Sequence, residues 1–286
     1  MAKYDIRTLQ LRILEILKAV DKVCSEHGLR YYAWAGTMLG AVRHKGFIPW
    51  DDDMDIAMPR RDYDILMQNA DKWLPKPYEA ICAENNPDYP GAFGKVVDSS
   101  TTLIERESYD YLAGIYIDIF PLDGMPDSVL MRKWQAARYK YYSRLIYLIH
   151  RDPYKHGRDF SSLLPLLCRK IYTHEALQKS IRKVMTAYDF DRCKLFLDYD
   201  DGIRGVMDKD VLGRPTPVDF ENTVVMGVEK ADTYLSTKYG DYIQVPDDCD
   251  KRQHDFFYLD YNLPYREYDD KRAFRKQGHR QNDVLK

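Results

Sequence analysis

The stretch Phe47-Ile-Pro-Trp-Asp-Asp-Asp-Met-Asp-Ile-Ala-Met58 places four carboxylates, Asp51, Asp52, Asp53 and Asp55, within five residues and brackets them with apolar side chains. A surface acidic run would have polar flanks. Like charges crowded against apolar neighbours repel one another and lose solvation, and a neutralising cation makes such a cluster tolerable. The alternation predicts a strand over 53–58, in which successive side chains take opposite faces. Asp53 and Asp55 then project to one side, Met54 and Ile56 to the other. Two carboxylates so spaced can grip one hard cation and bridge to a second, and an oxygen-only donor set suits Mg²⁺ or Mn²⁺ better than zinc. Asp51 shares their parity if the strand begins early; otherwise it lies in the loop and orients them.

Further along, Gly114-Ile-Tyr-Ile-Asp-Ile-Phe-Pro121 alternates as a strand should, with Asp118 sharing a face with Tyr116 and Phe120. A lone acid there is costly without a partner, and a metal held with Asp53 and Asp55 would supply one; a charge on an exposed edge strand is the alternative. Asp123 is a weaker candidate. Upstream, Gly36-Thr37 precedes a short helix expected over 38–44. A glycine there lets backbone approach a phosphate, the helix start offers free N–H groups, and Thr37 adds a hydroxyl. Arg43, His44 and Lys45 are cationic candidates before the acids. Lys95, in a strand over 93–97, shares a face with Phe93 and Val97; it either snorkels or contacts a phosphate. Divalent ions on carboxylates can bridge a diphosphate and activate an attacking hydroxyl, so the assembled chemistry is phosphoryl transfer. No Walker loop, dinucleotide fingerprint or Ser–His–Asp pattern appears.

The remaining pattern is α+β. Helices are expected over 6–27, 62–73, 127–150, 161–188 and near 229–238. Strands are expected over 29–34, 78–82 and 115–120, besides those already named. The chain reads as one domain, 1–286, with a core over 1–126, a basic helical insertion over 127–190 and a C-terminal part over 191–286. Window 131–185 carries a net charge of +10, against −12 for the rest. That segment is either a solvated helix face or a docking surface for anionic lipid or a phosphate-rich polymer. The whole-chain charge of −2 argues against a nucleic-acid partner. The five cysteines lack paired spacing and read as buried free thiols in a reducing cytoplasm. Neither a secretory leader nor a membrane span is visible, so the expected location is cytoplasmic, with peripheral contact at the inner membrane face through 131–185.

Trp34-Ala-Gly-Thr-Met-Leu-Gly-Ala-Val-Arg-His44 followed by Gly46-Phe-Ile-Pro-Trp-Asp-Asp-Asp-Met-Asp-Ile56 resembles the LicD family, related to the fukutin and fukutin-related transferases. Phe93-Gly-Lys-Val-Val-Asp98, Ile117-Asp-Ile-Phe-Pro-Leu-Asp123, Tyr239-Gly-Asp-Tyr242 and Lys251-Arg-Gln-His254 fit the same pattern. The resemblance implies a nucleotidyltransferase-like fold of the polymerase-β palm type, a mixed sheet flanked by helices. It also implies transfer of phosphocholine from CDP-choline to a hydroxyl of a surface glycan, of teichoic acid or lipopolysaccharide type and lipid-linked in some settings, with release of CMP. By motif, Gly36, Thr37 and Lys95 would contact phosphate, and Asp53 and Asp55, supported by Asp51 and Asp118, would hold two Mg²⁺ or Mn²⁺ ions. His254 would belong to the site. A choline cargo needs aromatic faces; Trp50 is the first candidate, ahead of Tyr31, Tyr32, Trp34, Tyr109, Tyr111 and Tyr116. Three alternatives stay open: a nucleotidyltransferase releasing pyrophosphate, the same chemistry with phosphoethanolamine or a polyol phosphate, and a non-enzymatic cation-binding surface protein.

Overall fold

The computed structural model describes residues 4–107, 111–151, 160–247, 249, 251 and 253–270. Helix α1 (Ile6–His27) starts where the Asp5 side chain accepts the Arg7 N–H, and ends at Gly28, whose φ of 64° is the left-handed turn glycine adopts without strain. Its buried face, Leu9, Ile13, Leu14, Leu17 and Val20, follows the helical period. Gln10 interrupts that face and is buried too. Strand β1 (Tyr32–Ala33) is shorter than the expected 29–34, because Trp34 caps helix α2 (Ala35–His44), which begins before Met38.

Strand β2 (Asp55–Pro59) leads into α3 (Arg60–Trp73), then β3 (Tyr78–Ile81), the long strands β4 (Gly94–Ile104) and β5 (Ala113–Met125), and α4 (Val129–His150). The expected strand over 53–58 therefore starts two residues late, and Asp53 lies in the loop rather than on the strand. The expected helix over 161–188 is two helices, α5 (Phe160–Ile171) and α6 (His174–Met185). The Thr173 hydroxyl accepts the Ala176 N–H and starts the second anew. The remainder comprises β6 (Leu195–Asp198), β7 (Met207–Asp208), α7 (Lys209–Leu212), the hairpin β8 (Thr216–Phe220) and β9 (Thr223–Gly227), α8 (Ala231–Tyr239) and β10 (Tyr258–Asp260).

The main sheet runs β1-β2-β5-β4-β10, with β3 on β4 and β6 bridging β5 to β7. Strands β2 and β5 are parallel and the other described pairs antiparallel, so the sheet is mixed, with helices packed against it. Strand β5 is the hub: β4 pairs with its first half, β2 with its middle and β6 with its far end. A second, smaller core forms there from Leu145, Ile146, Leu177, Ile181 and Leu197, and carries the helices α4 and α6. Cys24, Cys82 and Cys168 are buried as expected; Cys193 is half-buried and Cys249 exposed, which corrects the reading for those two.

Candidate active site

Asp55 opens β2 with its backbone held from several directions. Its N–H donates to Thr37 Oγ1 at 2.8 Å, and its carbonyl accepts the Trp34 N–H at 3.0 Å. The preceding Met54 carbonyl accepts the Asp118 N–H at 2.9 Å, which locks the parallel register. That register sets Asp55 beside Asp118, and the antiparallel register of β4 sets Lys95 opposite Asp118. Registered neighbours point to one face, so Asp55, Asp118 and Lys95 form a row across three strands.

Lys95 is fully engaged within the row. Its Nζ lies 2.6 Å from Asp118 Oδ1 and 3.0 Å from Glu105 Oε1, and 3.4 Å from the centre of the Tyr116 ring. Burial alone would lower its pKa; Asp118 and Glu105 hold it above the usual lysine value, so it stays charged. Asp118 thus has a cation beside it that parity alone did not supply.

The loop carboxylates crowd the same region. Burial, and then Asp53 beside it, push Asp51 up to about 8. Burial raises Asp53 as well, with His254 opposing. Burial, Asp53 and Asp118 hold Asp55 well above the ordinary carboxylate range. Burial lifts Asp118 to about 7 despite Lys95. Gly36 makes room for this crowd: a Cβ there would meet Asp51 Oδ2 at 2.9 Å. Asp53 and Asp118 keep 23% and 13% of their side-chain surface exposed, whereas Asp52 keeps 2%. The first two can be reached by a ligand and the third cannot. Oxygen donors that raise one another's pKa in this way fit a hard divalent cation, which Asp53, Asp55 and Asp118 could hold with Asp51 beside them.

Asp52 serves differently. It accepts the Tyr4 hydroxyl at 2.5 Å, the His254 N–H at 2.8 Å and His254 Nδ1 at 2.7 Å. This hydrogen bond, working against burial, raises His254 to about 9. Asp52, Asp53 and His254 have ligand atoms within 4.8 Å of one another. The three hydrogen bonds to Asp52 form a latch that ties residues 4 and 254 to the acidic loop.

Other candidates are placed as follows. Gly36 and Thr37 occupy the first turn of α2, not a turn before it. The Thr37 hydroxyl accepts from Asp55, so it positions the strand. Arg43, at the other end of that helix, donates through Nη1 to the Tyr242 and Gln244 carbonyls at 2.8 and 3.3 Å and anchors that segment. Burial and Arg43 lower His44, so it is not the expected cation. Its ring meets the Trp50 edge at 6.2 Å. Trp50 is half-buried and carries Lys251 Nζ 4.5 Å from its ring centre. Tyr31, Tyr32 and Trp34 are core residues, each 2% exposed, and Tyr111 and Tyr116 are buried too. Tyr109 lies outside the described residues.

Several residues escaped the sequence reading. They are Glu105, Gln10 and Asp198; Asp52 and Tyr239 were visible in the sequence but had no role assigned to them. Gln10 donates to the Asp51 carbonyl at 2.8 Å, and burial, with Asp55, Asp201, Asp51 and Asp53, raises the pKa of Tyr239. Asp198 accepts from Trp34 Nε1 at 2.9 Å and reaches about 7 through burial and Asp201. Leu195-Phe-Leu-Asp198 places an acid in an apolar strand, as Ile117-Asp118 does, and that was the available signal. A cavity of about 630 Å³ lies elsewhere, between α3 and α6. Its cations are already paired, Arg60 with Asp123, Arg182 with Asp64 and Glu84, and Lys179 with Glu175.

These shifts set a pH dependence. Carboxyls whose folded pKa is raised take up protons in the native state, so stability falls as pH rises from 3.8 toward about 8 at Asp51. The His254 pairing is complete below 6.5 and is lost as pH rises through about 9. Both act in one direction. Melting temperatures in chelator should decline across this range, and Asp51→Asn should flatten the slope; a melting temperature rising with pH there would contradict the electrostatics.

Residues 28–147 match the LicD/FKTN/FKRP nucleotidyltransferase domain. The chain is 26% identical over 267 residues to the lipopolysaccharide cholinephosphotransferase LicD of Haemophilus influenzae, covering 89% of this chain and 97% of that protein. It is also 38% identical over 58 residues to an uncharacterized protein of Rickettsia prowazekii, which is 20% of this chain and 22% of that one. With the Gly36-Thr37 turn set against the acids of β2 and β5, residues 28–147 carry the likeness to the LicD/FKTN/FKRP nucleotidyltransferase domain, and the chain as a whole is similar to the Haemophilus LicD protein.

Proposed function

We propose that this protein transfers phosphocholine from CDP-choline to a hydroxyl of a lipopolysaccharide-type glycan and releases CMP, on a palm-type nucleotidyltransferase scaffold. The observation that carries this reading is the row Asp55–Asp118–Lys95 with Asp51 and Asp53 packed over it. Similarity to the Haemophilus transferase along nearly the whole of both chains supports the choice of cargo and acceptor. Asp53, Asp55 and Asp118 would hold Mg²⁺ or Mn²⁺, which when bound neutralises a diphosphate and acidifies a hydroxyl. The free N–H groups of Gly36 and Thr37 face a phosphate oxygen. The Trp50 ring, which already accepts an ammonium from Lys251, receives the choline head.

In the reaction, the glycan oxygen bonds to the phosphorus bearing choline. The bond from that phosphorus to the bridging oxygen breaks, CMP leaves with the electron pair, and the hydroxyl proton passes to the carboxylate cluster. Incubation with CDP-choline, Mg²⁺ and a lipopolysaccharide acceptor should yield CMP together with an acceptor heavier by one phosphocholine. EDTA should stop both, and excess Mg²⁺ should restore them. Undiminished CMP release in chelator overturns the metal role. Pyrophosphate release from CTP, without turnover of CDP-choline, overturns the reaction in favour of nucleotidyl transfer.

A further inference from the structure

Helices α4 and α5 turn apolar side chains outward. Along α4, Leu130, Trp134 and Tyr141 fall on one face and are 79%, 62% and 53% exposed. Along α5, Leu163, Leu164, Leu167 and Ile171 share a face and are each more than half exposed, while Cys168 turns inward. The two faces meet where the Tyr141 and Tyr172 hydroxyls lie 3.2 Å apart. Cations border them: Arg138 sits 4.5 Å above the Trp134 ring and Arg144 4.8 Å above that of Tyr147, and Lys140 and Lys170 are exposed.

Three occupants compete for such a surface. A phosphate-rich polymer would satisfy the cations and leave the four aliphatic side chains of α5 in water. A second copy of the chain would set one +10 segment against another. A bilayer with anionic headgroups satisfies both features: aliphatic side chains enter the acyl boundary, Trp and Tyr sit at headgroup level, and Arg and Lys pair with the charge. Among the described residues no helix is long and apolar enough to cross a membrane, so the contact is peripheral.

We propose that the outward faces of α4 and α5 form a docking surface for an anionic lipid bilayer, with Leu163, Leu164, Leu167, Ile171 and Trp134 inserted and Arg138, Arg144 and Lys170 on the headgroups. This stands apart from the carboxylate row, and its test does not use turnover. The full chain is floated with vesicles of phosphatidylcholine alone and of phosphatidylcholine mixed with phosphatidylglycerol. Binding is expected with the anionic vesicles only, and should weaken as salt is raised. Leu164→Glu combined with Leu167→Glu should reduce vesicle binding roughly tenfold or more, with an unchanged circular-dichroism spectrum and sedimentation coefficient. Arg138→Glu with Arg144→Glu should reduce it as well and steepen nothing in neutral vesicles. The proposal is overturned if the leucine variant floats like the parent, if free polyphosphate binds the parent and the leucine variant equally and strips both from vesicles, or if the parent sediments as a dimer that the leucine variant disperses.

Discussion

Asp55→Asn is expected to lower CMP release from CDP-choline by about 10²–10³-fold or more, and to raise the melting temperature of the metal-free protein. The two effects share one cause. Asp55 lies beside Asp118 in register and near Asp53, and their repulsion together with burial lifts its pKa far above the carboxylate range. An amide of the same shape spares the fold the proton uptake that burying this carboxyl in that crowd requires, which stabilises by roughly 0.5–2 kcal/mol. It also removes a donor oxygen on which a divalent ion depends. Melts with and without Mg²⁺ should separate the contributions: the ion should stabilise the parent more than the variant. A variant that loses activity and stability together would indicate that Asp55 holds the fold rather than a ligand.

Lys95→Met should be the most destabilising single change in the row, by about 3–5 kcal/mol. The lysine is 3% exposed and stands between two carboxylates, Asp118 and Glu105. Methionine keeps the volume and leaves both acids without their cation. Urea midpoints should fall accordingly, and adding Glu105→Gln should recover part of the loss, because one orphaned charge is then gone. If the single variant unfolds at the same urea concentration as the parent, the charge compensation assigned to Lys95 is wrong.

The acidic cluster was legible in the sequence because four carboxylates flanked by Trp50 and Ile56 are costly in any fold. Strand and helix positions for α1, α3 and β5 followed from period and caps. The parity argument for Asp53 and Asp55 held less well: hydrogen bonding to β5 reaches back to the Met54 carbonyl, yet the strand itself begins only at Asp55, so Asp53 takes its place from the loop. The partner of Asp118 was not legible. The antiparallel register that puts Lys95 opposite it is set between segments with their own turn and bulge, and no local pattern encodes it. The contacts of Arg43 were not legible for a related reason. Charge type was visible, but the Tyr242 and Gln244 carbonyls that engage Arg43 lie about two hundred residues away in the chain.

The latch on Asp52 has a bearing on what constitutes the folding unit. Two of its three hydrogen bonds come from residue 254 and the third from residue 4, while the span that carries the shared domain is 28–147. Cut to that span, the chain would lose these three donors to Asp52 and the buried face of α1 from its main core, next to the very side chains its chemistry needs. What is inherited as a module thus cannot be excised as one: the outermost stretches of the polypeptide are the clasp that closes the ring around its middle.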